Sequence, residues 1–159
     1  MTQENLLDAV VEDLSELFRH YKLKNSLGLE REVRVFPHEL PVREGDDEET
    51  NPSAPPEPYI LVKIPEGELP GNGETQTVGV VLVICVCDRD RNRQGYRDTL
   101  HIINEILLRY GSCDVVGGRY CLQYPIKWAM QEEDTHPYYF AAMSLKFEAA
   151  AIFKEVPET

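Results

Sequence analysis

The chain has 159 residues, 42% hydrophobic and 28% charged, which predicts a single globular domain spanning residues 1–159. Its 28 acidic and 16 basic residues give a formal charge of −12, which disfavours broad electrostatic binding to nucleic acid or anionic membranes. The longest apolar run, Val78–Cys87, is too short to cross a bilayer, and the first residues lack signal-peptide character, so we expect a cytoplasmic location.

The first predicted element is an amphipathic helix from about Gln3 to Lys24. Apolar residues recur three and four positions apart on one side, and acidic residues occupy the other side. The apolar stripe comprises Leu6, Leu7, Val10, Val11, Leu14, Leu17, Phe18 and Tyr21. A short strand is predicted next at Val33–Phe36, and Pro37 restricts it to a sheet edge or a strand end.

The segment from Pro41 to Pro58 differs in composition from the rest of the chain. It holds six acidic residues and five prolines, and Val42 is its one aliphatic residue larger than alanine. Such a segment cannot bury enough apolar surface to offset the entropy lost on ordering it. We therefore predict a mobile, acidic, proline-rich loop within the single domain.

Two strands and a helix form the predicted centre of the chain. Tyr59–Ile64 reads as a strand, and the turn-rich connection Glu66–Glu74 leads to the longest strand, Thr75–Asp88. This strand lacks polar alternation, which indicates a central position with both faces covered. The second helix is predicted over Gln94–Tyr110, with Gly111 ending it. Its expected buried face consists of Leu100, Ile103, Ile106, Leu107 and Tyr110.

Two further strands complete the predicted fold. The first opens at Gly117 and Gly118 and runs to about Met130, and the last spans Tyr139–Phe153. We expect the lone tryptophan, Trp128, in the core. The inward positions of the last strand are predicted to include Ala142, Leu145, Phe147 and Ala149. The order αβββαββ predicts an α+β fold, with a mostly antiparallel sheet and two helices packed on one face.

The spacing of the candidate residues gives little support for a metal site or a catalytic nucleophile. The four cysteines and four histidines lack metal-ligand spacing, and Cys85 and Cys87 are expected to be free, mostly buried thiols. The sequence has neither a nucleophile elbow nor a phosphate-binding glycine loop. Asp88 and Asp90 could hold a divalent ion in a metal-dependent hydrolase, although the arginines beside them favour local neutralisation. We predict no catalytic residue, no metal and no cofactor.

Two segments are candidate interfaces with another subunit or partner. The first concentrates basic residues and could dock onto an acidic surface of a second copy, or its charges could pair locally. It comprises Arg89, Arg91, Arg93, Tyr96, Arg97 and Asp98. The second places Tyr138, Tyr139 and Phe140 in succession on a strand. At least one of these aromatics should be exposed or covered by a partner, whereas an ordinary strand start with one surface tyrosine is the alternative.

Several blocks of this sequence resemble a family of tailed-bacteriophage and prophage structural proteins, the tail terminator or tail completion proteins. The resemblance extends over about residues 59–153. The blocks are Gln94–Asp98 with Ile102–Ile106, then Tyr120–Trp128, then Pro137–Met143. The acidic insert at 41–58 departs from the family pattern, and so do Tyr139 and Phe140, where a tryptophan is expected.

The resemblance implies a small, non-enzymatic α+β subunit that assembles as a ring, commonly a hexamer, at the head-proximal end of the tail tube. Its implied partners are further copies of itself, the tail tube protein and a head completion protein. Its implied location is the host cytoplasm during assembly and then the neck of the virion. DNA would pass through without specific binding, because an acidic lumen repels phosphates. Alternatives are a head completion or connector protein of the same neck region, and a small bacterial adaptor that uses the aromatics at 138–140.

Overall fold

The computed structural model describes residues 3–41, 55–112 and 115–149. Within these ranges the chain begins with a helix, continues through five strands, and then forms a second helix and three further strands. The elements are α1 (Gln3–Leu17), β1 (Lys22–Lys24), β2 (Glu30–Glu32), β3 (Arg34–Pro37), β4 (Tyr59–Glu68), β5 (Gln76–Cys87), α2 (Gly95–Ser112), β6 (Val115–Val116), β7 (Tyr120–Met130) and β8 (Tyr138–Ala149).

A curled six-stranded sheet forms the framework of this α+β fold. Its strand order is β3-β4-β5-β8-β7-β6, in which β3 pairs parallel with β4 and the other neighbours pair antiparallel. β1 and β2 form a separate antiparallel hairpin. The longest predicted strand is central, as expected, and the short strand ending at Pro37 lies at a sheet edge, as expected.

The hydrophobic core lies between the two helices and one face of the sheet. Alternate residues of β5 from Val78 to Val86 point into it. α1 contacts β3, β4 and β6, whereas α2 contacts β5, β7 and β8, so the sheet curls around the helices. The helix residues of this core are Leu6, Val10, Leu14, Ile102, Ile103, Ile106 and Tyr110.

The opposite face of the central strand is less covered than predicted. Thr77, Gly79, Val81 and Val83 alternate with the core residues and are half-buried. The core residues of both helices belong to the same cluster as the fully buried residues of β5, and the alternate residues of the strand are only half-buried. The prediction of two covered faces is therefore wrong for most of β5 and holds only at its end, over residues 84–87.

Several element boundaries differ from the predictions. The first helix ends at Leu17 and not at Lys24, because residues 22–24 pair with Glu30–Glu32. α2 continues through Gly111, since a glycine weakens a helix without necessarily ending it. The predicted strand start at 117–118 is instead a turn between β6 and β7, with positive φ at both glycines. The predicted order αβββαββ is therefore replaced by αβββββαβββ.

Three side chains predicted to be buried are exposed. Ala142 is out of phase with the inward residues of β8, where Ala141 and Met143 take the core positions. Leu100 lies at the margin of the buried face of α2, and Trp128 lies on the outermost long strand. The alternation of the strand excludes Ala142 from the inward set, whereas the exposure of Leu100 and Trp128 depends on neighbours that hydrophobic character alone does not reveal.

Some predictions fall on residues outside the described ranges. These are positions 42–54 of the acidic loop, Cys113, and the last part of the predicted final strand at 150–153. Cys85 and Cys87 are free and buried, as predicted, whereas Cys121 is free and exposed. Burial raises the pKa of the Cys85 thiol to about 12, which keeps it protonated at neutral pH.

We expect Ile106→Ala to lower the free energy of unfolding by about 2–5 kcal/mol, because alanine leaves a cavity in the core. Leu108→Ala is the matched control on the same helix, since Leu108 is 60% exposed. Its effect should stay within about 0.5 kcal/mol. Denaturant titration followed by circular dichroism measures both variants, and equal losses would contradict the assignment of the buried face.

Candidate interaction surface

The arginine-rich link between β5 and α2 is shaped by its own aspartates. The backbone N–H of Asp90 donates to Asp88 Oδ1 at 2.9 Å, and that of Asn92 donates to Asp90 Oδ1 at 3.0 Å. Short side-chain acceptors stabilise turns in this way. Both aspartates therefore have a structural role in the link. Among the described residues, no three His, Cys, Asp or Glu side chains are grouped so that they could hold a metal ion.

Two arginines connect the link to its neighbours on either side. Arg89 Nε donates to the backbone carbonyl of Ser26 in the β1–β2 hairpin at 3.0 Å. Arg93 has positive φ and forms an ion pair with Asp134 in the turn between β7 and β8. A hydrogen bond from Arg93 is the main reason that the pKa of Asp134 lies below its usual range.

The other two arginines, Arg91 and Arg97, are exposed on the surface. Arg97 Nε donates to Gln94 Oε1 at 2.6 Å, and its guanidinium lies 5.6 Å from the centre of the Tyr96 ring. Arg91 is exposed. Neither Arg91 nor Arg97 forms an ion pair within the described part of the chain. Within the described residues no ion pair therefore neutralises these two charges, whereas Arg93 pairs locally with Asp134.

The link and the aromatics of β8 meet at a pocket of about 360 Å³. Its lining includes Arg93 and Tyr96, together with acidic side chains of the turn between β7 and β8. Tyr138, Tyr139 and Phe140 all border the pocket, and each is half-buried rather than exposed. The structure thus brings together the two segments that the sequence singled out separately.

Gly95 begins α2 directly against the ring of Tyr139. A Cβ added at Gly95 would overlap that ring and would lie 2.8 Å from the Cβ of Asp88. No side chain larger than hydrogen fits this contact without movement. The close approach holds the start of α2 and the link against β8.

Asp98 and His136 are two further titratable residues of these segments. Asp98 is partly buried in the first turn of α2, and burial raises its pKa, with a smaller contribution from Asp88. His136 is a turn residue, as predicted, and its Nδ1 lies 3.2 Å from the Tyr139 hydroxyl. Of the predicted interface residues, Asp98 is thus only partly exposed.

Two exposed aromatics on β7 were not predicted as surface residues. Tyr124 is 64% exposed and Trp128 is 47% exposed, which corrects the expectation of a buried tryptophan. β6 pairs with β7 only at Tyr120 and Cys121, so the rest of this edge has no strand partner among the described residues. Pro125 within the strand was the available signal, because proline inside a sheet favours an edge position.

Comparison with known proteins does not assign a function to the chain. Neither the family models nor the curated proteins that were searched match the chain. In the described ranges, both helices fall short of the length and apolar character that a membrane crossing needs.

We expect Gly95→Ala to destabilise the protein by about 1–3 kcal/mol, because the added methyl group overlaps the Tyr139 ring. Gly111→Ala is the matched control in the last turn of the same helix, where a Cβ meets no atom within 4 Å. That control should stabilise the protein by up to about 1 kcal/mol. Thermal unfolding compares the two, and shifts of the same sign would contradict the close contact at Gly95.

We expect Arg93→Gln to raise the pKa of Asp134 toward that of an ordinary aspartate, since Arg93 is the main cause of its depression. A carboxyl whose folded-state pKa is lowered stabilises the protein above the unfolded-state pKa, and this contribution is lost as pH falls through the folded-state pKa. NMR titration of the Asp134 carboxyl carbon tests this. Arg97→Gln should leave the titration unchanged, and an unchanged titration in Arg93→Gln would rule out the ion pair in solution.

Proposed function

We propose that the protein is a non-enzymatic structural subunit of a tailed phage or prophage, which forms a ring that caps the tail tube and joins it to the head. The observation that carries the proposal is the convergence of two sequence blocks that resemble tail terminator proteins. Tyr96 of the block Gln94–Asp98 lines one pocket with residues 138–140 of the block Pro137–Met143, and Gly95 lies against Tyr139. If the two blocks act together in assembly, they must lie on the same surface of the subunit.

The unlike edges of the sheet support self-assembly through different surfaces. β3 lies at one end of the sheet, and β7 with its exposed aromatics lies near the other, where β6 covers only its first residues. Subunits that join through unlike surfaces do so head to tail and close into rings when the rotation permits. Exposed aromatic side chains are typical anchors of such interfaces.

The acidic character of the chain fits a passage for DNA. A ring of subunits that each carry a formal charge of −12 would generate a strongly negative field. Phosphate groups would be repelled from such a lumen, so DNA could move through without tight contacts. A neutral or basic inner wall in the assembled ring would contradict this part of the proposal.

The experiment combines sedimentation with electron microscopy of cognate tail tubes. We expect the protein to form rings, alone or when mixed with tube subunits, and to cap one tube end so that elongation stops. A protein that stays monomeric at high concentration and with tubes would overturn the proposal. Binding to heads but not to tubes would instead favour a head completion or connector protein.

A variant tests whether the exposed edge of β7 takes part in assembly. We expect Trp128→Ser to weaken ring formation by at least about tenfold, because the interface loses an aromatic side chain that the isolated subunit exposes. Leu108→Ser is the matched control, since it also removes an exposed apolar side chain but lies on α2. Equal ring formation by the two variants would exclude a role for this edge.

A further inference from the structure

An apolar surface lies between α2 and the edge strand β7, and we call it the α2–β7 surface. Leu107, Ile126 and Met130 are half-buried and pack against the core. Tyr96, Leu100 and Trp128 are 38%, 37% and 47% exposed. The surface is defined by these six side chains, Tyr96, Leu100, Leu107, Ile126, Trp128 and Met130.

The directions of the two elements make this surface continuous. Tyr96 and Met130 line the same pocket, so the start of α2 lies beside the end of β7. The end of α2 leads through β6, which pairs with the start of β7, so the two elements run in opposite directions. One helical turn from Tyr96 to Leu100 and two strand residues from Met130 to Trp128 both span about 6–7 Å. Leu100 therefore lies level with Trp128, whose strand partner Met143 is a core residue on the helix side of the sheet.

The turn between β1 and β2, residues 25–29, presents a second apolar surface, and we call it the hairpin tip. Leu27 is 56% exposed and Leu29 is 47% exposed. Asn25 Oδ1 accepts the backbone N–H groups of both leucines at 2.9 and 3.1 Å. Arg89 Nε donates to a backbone carbonyl of the same turn at 3.0 Å. The leucines are thus exposed on a turn that is already ordered, which reduces the entropy lost when they bind.

The two surfaces lie on different sides of α2. The ring of Tyr21, which leads into the hairpin, stacks on that of His101 with centroids 5.3 Å apart. Arg109 forms an ion pair with Asp13 of α1, so this side of α2 faces α1 and the hairpin. Leu100 lies on the side toward β7. Two unlike surfaces on different sides of a subunit can join copies head to tail.

Charge selects these two surfaces for contact between copies. Each copy carries a formal charge of −12, so copies repel one another except where acidic side chains are absent. The hairpin tip and the α2–β7 surface are both formed by uncharged residues, as the centres of interfaces usually are. Lys24 and Glu30, which flank the tip, lie opposite each other across the hairpin and offset each other. The exposed side of α1, by contrast, carries Glu4, Asp8, Glu12 and Glu16.

The exposed area suits an interface of ordinary size. An aromatic side chain offers about 150–250 Å², so the exposed parts of Tyr96, Trp128 and neighbouring Tyr124 together present roughly 300 Å². One side of a standard interface buries about 800 Å², of which roughly 450 Å² is apolar. These aromatics alone therefore supply most of the apolar area that one side of a stable contact needs.

We propose that the hairpin tip of one copy docks on the α2–β7 surface of a second copy, so that subunits join head to tail. Leu27 and Leu29 of the tip pack against Leu100 and Trp128 of the next copy. The inference rests on the proposed function, which requires self-assembly, and it names the two surfaces through which subunits join.

The test places one carboxylate on each surface, followed by sedimentation under the conditions in which the wild type forms rings. We expect Leu27→Glu and, separately, Leu100→Glu to weaken self-association by at least about tenfold. Each variant would bury a charge without a partner at the contact.

Mixing the two variants shows whether the contact is head to tail. Leu100→Glu keeps an intact hairpin tip, and Leu27→Glu keeps an intact α2–β7 surface, so one normal contact can form between them. The pair that results has no further intact tip and surface with which to grow. We therefore expect dimers in the mixture, no rings, and no dimers of either variant alone.

Two matched controls separate position from the change in chemistry. Leu108 on α2 and Leu69 between β4 and β5 are exposed leucines outside both surfaces. Leu108→Glu and Leu69→Glu should leave self-association unchanged. The circular dichroism spectra of all four variants should match that of the wild type, because none of these side chains belongs to the buried core.

The outcomes distinguish this inference from the proposed function. Rings that cap tubes in spite of either surface variant, or a mixture of the two variants without dimers, would overturn the inference and leave the proposed function standing. Loss of assembly in Leu100→Glu but not in Leu27→Glu would mean that another occupant covers the α2–β7 surface, and it would also overturn the inference. A wild-type protein that stays monomeric with and without tubes would overturn both.

Discussion

The central strands β5 and β8 pair without a register shift from Gln76 opposite Ala149 to Cys87 opposite Tyr138. The pairing of β4 with β5 and the pairing of β7 with β8 each contain one register shift. The β5–β8 ladder is therefore the longest regular pairing in the sheet. Because its register is continuous, the chain leaves β5 beside the start of β8, and the N–H of Asp88 donates to the carbonyl of Pro137 at 2.8 Å. The positions of the arginine-rich link and of the aromatics follow from this one pairing.

Burial on one face of the sheet separates the stable part of the molecule from the parts available for assembly. The helices cover one face, and the core residues there are almost fully buried. The edge of β7 and the hairpin turn lie outside this core, and both present large apolar side chains to solvent. Substitutions at such positions change binding more than folding, because little packing is lost in the isolated subunit.

Much of the fold could be predicted from local pattern, and the errors have physical causes. The buried face of α2 follows from helical periodicity at Ile103, Ile106 and Tyr110. Gly111 was expected to end that helix, but helix ends depend on capping contacts as well as on propensity. Trp128 was expected in the core but is exposed. Hydropathy does not report whether a strand has a neighbour on both sides along its whole length.

By itself, the sequence determined the α+β class, the central strand, the free thiols and the unusual basic segment, since each depends on composition or on periodicity along the chain. The tertiary structure alone decided which distant residues meet. The contact of Gly95 with Tyr139 and the hydrogen bond from Arg89 to the Ser26 carbonyl arise from strand register and loop closure, which couple residues far apart in the chain. No local pattern encodes such contacts, because they depend on how the whole sheet curls around its helices.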